Sequence, residues 1–370
     1  MTRHDGDQPD GRIGHCTISI IVPNYNHGRF LTRCLAAIET QTEKPYEVIL
    51  IDDASTDDSL AVIDRFSARL PRFQLRRHHV NQGVIASINE GLRLASGTHV
   101  LGTAADDWIE PELIALSMQW LNRYPNAGVC SALTRLANED GLVTGPFRTP
   151  VPRWTAGYVT PTEAARHLVR DDTWFNGNTA VVNRVAAIGA GGYRPELASF
   201  CDGFLNATLA CQYGACFIPR FLAVWRRLET GYAASVNADS SSMLGIFETM
   251  QRLAHANTSN PVPEAYVRRW AARWRFSAAR SAIATGKAEG RKRFVSLLPP
   301  NLRPVVGILE QVARLPGIGH HAATALLFLL FRFQDIEPVL RRRIEWMMFS
   351  RNLETGATFL EAADTLERAN

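Results

Sequence analysis

The stretch from Thr17 to Asp58 constrains the fold more than any other part of the chain. It holds two β-branched apolar runs, each closed by residues that end a strand, with one amphipathic segment between them. Ile18, Ile20, Ile21 and Val22 stop at Pro23, which is tolerated at the end of a strand but not inside a central one. Leu31, Cys34, Leu35 and Ile38 recur at helical spacing, and Val48 to Ile51 is a second run closed by Asp52-Asp53. Strand, crossover helix and strand form a right-handed parallel unit. Sheets of this kind take ligands in the crevice beyond the carboxyl ends of their strands, which is where Pro23-Asn24-Tyr25-Asn26 and Asp52-Asp53 fall. One loop offers a flat aromatic, the other a pair of carboxylates that only accept hydrogen bonds when ionised.

The alternation continues. Ser55 to Asp58 is rich in capping side chains, and Leu60, Ile63, Phe66 and Leu70 follow at helical spacing. Phe73 to Leu75 reads as a third strand, Asn81-Gln82-Gly83 as a turn, Val84, Ile88 and Leu92 as a helix face, and His99 to Thr103 as a fourth strand. Such repetition predicts an α/β sheet with helices on both faces. The fourth strand runs into A-A-D-D-W-I-E-P (Ala104 to Pro111), where Asp107 also stands in place to cap a helix containing Leu113, Leu116 and Trp120. Val129 to Leu133 reads as a strand, and Pro146 to Pro161 as a loop of the kind that carries specificity on a rigid scaffold. Trp174, Phe175 and Asn178 precede a strand at Thr179 to Val182. G-G-Y-R-P-E-L-A-S-F-C-D-G (Gly191 to Gly203) then places Asp202 at the amino end of a helix marked by Phe204, Leu205, Thr208 and Leu209. A helix amino terminus favours a carboxylate in its ionised form, and an N-cap there would serve equally.

These motifs, in this order, resemble the family-2 glycosyltransferases, inverting enzymes of the GT-A fold that use nucleotide sugars. V-P-x-Y-N with V-I-L-I-D-D-x-S-x-D is similar to their amino-terminal signature. The resemblance implies that Tyr25 packs on the base and Asp53 accepts from the uracil N–H, with Pro23, Asn26 and Asp106 in the same nucleotide-binding set. N-Q-G-x-x-x-S-x-N-E-G (Asn81 to Gly91) is similar to a third motif, with Ile88 where the family has Arg. A-A-D-D resembles the D-x-D-D whose carboxylates hold the ribose and a divalent metal, Mg2+ or Mn2+, with Ala104 in place of the first Asp. Asp106 and Asp107 are the implied ligands; a hard cation on oxygen ligands offsets charge developing on a nucleoside diphosphate leaving group. The G-G-Y stretch resembles the segment ending in a Glu-Asp pair whose Asp is the catalytic base. Here the Glu is Cys201 and the implied base is Asp202. After Trp225 the family often carries Arg and His over the diphosphate. The His is missing, and Arg226 and Arg227 stand between a phosphate role and a solvated one. Trp174 and Asn178 stand between acceptor contacts and core.

Length and composition set outer bounds. At 370 residues and 46% hydrophobic content the chain can bury a large core. Residues 1–239 hold 22 basic and 25 acidic side chains and residues 240–370 hold 18 and 11, so a near-neutral part joins a basic one. The six cysteines form no C-x-x-C pair, which points to reduced thiols in a cytoplasmic protein. Residues 1–16 lack an apolar run and read as a disordered tail; 17–238 read as the glycosyltransferase domain and 239–370 as a basic helical region. In that region Tyr266, Trp270 and Trp274 share a helix face amid arginines. Such a stripe packs on the catalytic domain or lies on an anionic membrane. Ala322 to Phe331 is apolar but far short of the ~20 residues that span a bilayer, which suits a buried helix or shallow insertion. Arg341-Arg342-Arg343 with Trp346, Met347 and Met348 repeats the theme. Nucleic-acid binding lacks any base-reading motif.

The sequence therefore predicts transfer from a UDP- or dTDP-sugar to a glycan or lipid-linked acceptor, at or near the cytoplasmic face of a membrane. Two other classes stay open. Loss of the Ala104 and Cys201 positions suits a catalytically weak nucleotide-sugar binding protein. A sugar-phosphate nucleotidyltransferase would use a Gly-rich loop with Arg and Lys near the amino terminus, and none is found.

Overall fold

The computed structural model describes residues 15–228, 240–256, 262–285, 295, 303–316 and 318–354. The expected amino-terminal tail lies outside them, apart from its last two residues. Ile18–Asn24 (β1) and Glu47–Asp52 (β2) pair in parallel, with Gly28–Glu39 (α1) crossing between them. Both strands are buried on both faces, which is why they read as continuous apolar runs rather than alternating ones. Ser59–Ser67 (α2) leads to Gln74–Arg77 (β3), and Val84–Leu94 (α3) leads to His99–Gly102 (β4). β3 adds to β2 and β4 to the other side of β1, all in parallel. The chain thus winds outward as far as β3 and then returns past β1, leaving a crevice where the winding reverses.

Beyond β4 the sheet becomes mixed. Trp108–Ile109 (β5), Leu113–Arg123 (α4), Val129–Ala137 (β6), Val143–Pro146 (β7), Gly157–Val159 (β8), Pro161–Asp171 (α5), Val181–Asn183 (β9), Arg184–Gly189 (α6), Cys201–Tyr213 (α7) and Ala215–Arg226 (β10) complete it. The order is β3-β2-β1-β4-β9-β6-β10-β5, with β7 on β6 and β8 on β10. β9 runs antiparallel to both β4 and β6, while β6 and β10 are parallel. Mostly parallel therefore describes only the amino-terminal half. The strand expected at Val129 to Leu133 extends to Ala137, and β10 passes through Pro219 by shifting register between Ile218 and Phe221. A proline cannot donate to the ladder, and a bulge accommodates it.

The carboxyl-terminal part is helical: Ser240–Ala256 (α8), Glu264–Thr285 (α9), Val305–Ala313 (α10), Gly319–Arg332 (α11) and Ile336–Glu354 (α12). The aromatic stripe of α9 packs inward. Tyr266 and Trp270 are buried, and Phe200, just ahead of α7, meets Trp270 and Trp274 edge-on at 4.7 and 4.8 Å. One apolar cluster runs from Ile21 and Ile49 in the sheet through Phe204 and Leu205 to Phe247, Trp270 and Trp346. Among the described residues no helix is long and apolar enough to cross a membrane. The six cysteines are free.

Candidate active site

At the crevice the loops are held by their own side chains. Asn24, buried at the end of β1, donates to Asp52 Oδ1 at 2.9 Å and to Ser55 Oγ at 3.1 Å. Ser55 Oγ also accepts from the Asn26 backbone at 3.0 Å, and Asn26 Oδ1 accepts from Thr56 N at 2.8 Å. Asn26 sits at φ 54°, a left-handed conformation that asparagine tolerates. With both ends pinned, Tyr25 projects outward and is 44% exposed, beside a half-buried Pro23. A free ring at the rim of a parallel sheet is a stacking platform.

Asp53 lies behind it and is only 3% exposed. Its Oδ1 accepts from Gln82 N at 2.8 Å and faces His78 Nδ1 at 2.6 Å; Oδ2 accepts from Gly83 N at 2.8 Å. Each carboxylate oxygen takes two hydrogen bonds, so one acceptor position remains, on Oδ2. The other ring nitrogen of His78 lies 2.8 Å from Glu90 Oε2. For both nitrogens to donate, the ring must be protonated. Burial would lower its pKa, but the bonds and charges of Asp53 and Glu90 outweigh burial and raise it. No motif marked His78 in the sequence, and Glu90, inside the Asn81 to Gly91 motif, had no role assigned. They meet because β3 ends beside β2 and α3 returns over both.

The acidic loop divides its labour. Asp107 is buried; its Oδ1 accepts from Arg226 N at 2.9 Å and its Oδ2 from Asn178 Nδ2 at 3.2 Å. Burial, and then the charge of Asp106, push its pKa well up. It is thus a brace between β5 and β10 rather than a cap. β5 intervenes before α4, which starts at Leu113 after Glu112. Asp106 is also raised by burial, against the opposing influence of His27 and Arg226. Arg226 is buried, donating from Nε to Asp106 O at 2.9 Å and from Nη1 to Glu139 O at 2.6 Å, with its guanidinium on the Phe30 ring. Of the phosphate and solvated roles left open for it, burial excludes the solvated one, and two of its donors are committed to backbone carbonyls. Arg227 is exposed.

No group of three or more His, Cys, Asp or Glu able to hold a metal occurs among the described residues. A preformed protein cage therefore does not fit. An octahedral cation held by one carboxylate, with phosphate oxygens and waters completing it, does fit Asp106. Asp107, turned into the protein, fits poorly as a second ligand.

Asp202 stands in the first turn of α7, its Oδ1 accepting from Gly203 N at 2.7 Å. Burial raises its pKa in spite of that bond. A Cβ on Gly177 would come within 2.6 Å of Asp202 Oδ2, so a residue without a side chain lets the carboxylate sit there. The next residue, Asn178, is the one bound to Asp107. The single turn Gly177–Thr179 therefore has Asp202 on one side and the acidic loop on the other. Upstream, the double glycine is tied to α3. Asn89 bonds both ways with the Tyr193 backbone, at 2.6 and 2.9 Å, and a Cβ on Gly192, at φ 67°, would come within 2.6 Å of Asn89 Oδ1. The two motifs retained in sequence are thus halves of one joint.

Of the two readings left open for Trp174 and Asn178, acceptor contact or core, the structure favours core. Trp174 is fully buried, its ring 4.4 Å from that of Phe175, and has no face left for a sugar. Asn178 is buried between Asp107 and Thr134 and cannot reach an acceptor. Ile88 is core.

With this geometry in view, residues 19–186 match the family described as Glycosyl transferase family 2. That stretch is similar to family-2 glycosyltransferases, and the fold is GT-A-like. An uncharacterised protein of Mycobacterium tuberculosis H37Rv is 25% identical over 356 residues, 93% of this chain and 90% of its own. Among solved structures, residues 1–349 of Staphylococcus aureus TarS in complex with UDP-GlcNAc share 20% identity, with a TM-score of 0.56 and 92% of each chain covered. The mannosyltransferase PcManGT of Pyrobaculum calidifontis, in complex with GDP-Man and Mn2+, shares 22%, with a TM-score of 0.50 over 84% of this chain and 86% of its own. Both likenesses concern the fold. The family match over residues 19–186 supports a role in glycosyl transfer.

Proposed function

We propose that this chain is an inverting glycosyltransferase that moves a sugar from a UDP- or dTDP-sugar to a hydroxyl of a glycan or lipid-linked acceptor at the cytoplasmic face of a membrane. The observation that supports the reading is the Gly177–Thr179 turn, which meets Asp202, the one carboxylate of α7, at Gly177 and the acidic loop at Asn178. Tyr25 stacks the base, and the remaining acceptor on Asp53 Oδ2 takes the imide N–H that uracil and thymine share. Pro23 and Asn26 shape the same wall. A base without that N–H meets a carboxylate with nothing to accept, which disfavours it.

Asp202 removes the proton from the acceptor hydroxyl as its oxygen attacks the anomeric carbon. The nucleoside diphosphate departs from the opposite face, so a single displacement inverts the centre with no nucleophilic side chain. Burial suits Asp202 to the task, because a base whose pKa lies nearer the working pH takes a proton more readily. Asp106 would hold Mg2+ or Mn2+ with the donor's phosphates, and the bound cation supplies charge stabilisation to the leaving group. The divalent ion in the complex of PcManGT supports this choice, as the UDP-GlcNAc complex of TarS supports the donor class.

The test is Asp202→Asn. Donor binding by calorimetry with UDP and manganese should stay within about twofold, while transfer falls by roughly 10²–10⁴. Undiminished turnover would put the base elsewhere.

A further inference from the structure

The carboxyl-terminal helices leave an apolar surface that the donor site does not use. Leu326, Leu329 and Leu330 on α11 and Phe333 just beyond it, at i, i+3, i+4 and i+7, are 41% to 68% exposed. The opposite face of α11 is buried, with Leu327 in a cluster with Phe276, Val306 and Leu309. On α12, Leu340, Ile344 and Met347 repeat the pattern at 52% to 54% exposure, while Trp346 on the other face donates to Thr149 O at 3.0 Å. Phe333, in the 3₁₀ turn joining the two helices, belongs to both stripes. Each helix is therefore anchored along one side and bare along the other. Large apolar side chains gathered in this way mark a docking surface.

The charge around them indicates the occupant. Arg343 on α12 is exposed, and so are Arg303 and Arg314 at the two ends of α10, which shares the buried cluster with α11. The nearby carboxylates Asp335, Glu337 and Glu345 are engaged by arginines of this chain. A second copy docked isologously would bring arginines against arginines. A surface of anionic headgroups above acyl chains answers both features at once. We propose that the outer stripes of α11 and α12 seat this protein on anionic lipid. The inference does not depend on the transfer chemistry.

Sedimentation of the full chain with vesicles tests it. Vesicles of phosphatidylcholine with about one third phosphatidylglycerol should bind the chain at least tenfold better than phosphatidylcholine alone. Leu329→Gln/Phe333→Gln/Ile344→Gln should lose about tenfold on the anionic vesicles, and so should Arg314→Gln/Arg343→Gln. Circular dichroism should match the parent, since all five side chains are exposed. Absence of binding to the anionic vesicles overturns the proposal, as does equal binding by the triple variant. A dimer in solution that the triple variant turns into a monomer also overturns it, in favour of a second copy on this face.

Discussion

An imidazole with a carboxylate at each nitrogen has little freedom in its charge. His78, between Asp53 and Glu90, is held protonated by both, and its pKa lies above the ordinary value of 6.5. A folded-state pKa raised above the unfolded one gives stability that is complete below the unfolded value and is lost as pH rises through the folded one. The difference in melting temperature between the parent and His78→Gln should therefore be largest near pH 6 and shrink toward pH 9. A constant difference would mean the ring is neutral throughout. UDP affinity should weaken over the same range, because a neutral ring no longer supplies the charge-assisted bond that fixes Asp53. At Gly177 the argument is steric. Gly177→Ala would put a methyl 2.6 Å from Asp202 Oδ2 in the present arrangement. The carboxylate must swing aside, and a misplacement of about 1 Å in a reacting group costs on the order of 100-fold. Transfer should fall that far with UDP binding unchanged; full activity would show that Asp202 need not sit where the turn holds it.

Between motifs, the elements were legible to different degrees, for physical reasons. β1, β2 and α1 could be read because a doubly buried strand and a one-sided helix leave periodicities that a single sequence shows. Asp53, Asp106 and Asp202 fell at the ends of such elements, so they were found with them. The roles of Asp107, Arg226 and Asn178 were not visible, because each is set by a partner 71 to 119 positions away, across strands whose order the sequence does not state. Trp174 stood between sugar platform and core for the same reason: local sequence does not show what will cover a ring. Another hidden feature is Ala198, at φ 46° and ψ −126°, a conformation suited to glycine, in the turn leading to α7. Such strain costs of order 1–3 kcal/mol, and the entropy of a glycine takes back about 0.5–1. Ala198→Gly should therefore raise stability by about 1 kcal/mol, read as a higher urea midpoint. A lower midpoint would mean that the surroundings hold this backbone without strain.

Across the whole molecule, the composition break near residue 239 suggested two parts, while the apolar cluster passes through it from the sheet to Trp346. Basic charge marked the second part in the sequence, yet many of its arginines serve internal contacts. Arg269, Arg273 and Arg332 converge on Asp335, which is 2% exposed. Burial would raise this carboxyl, and bonds from the three arginines instead hold its pKa at about 2. A depressed pKa gives stability that is present above the unfolded value of about 3.9 and is lost as pH falls through the folded value. Asp335→Ala removes the carboxylate that the three arginines share, although Arg273 keeps its pair with Asp172, and the loss costs about 3–5 kcal/mol near neutral pH. Because the core is shared, that loss should reach the sheet. Hydrogen exchange at β1 and β2, some 280 positions away in sequence, should accelerate together with exchange in α9. Acceleration confined to α8 through α12 would make the helical region a separate folding unit. In that case the sheet would owe its stability to residues 17–238 alone, and docking of the helices would be a reversible event rather than part of the fold.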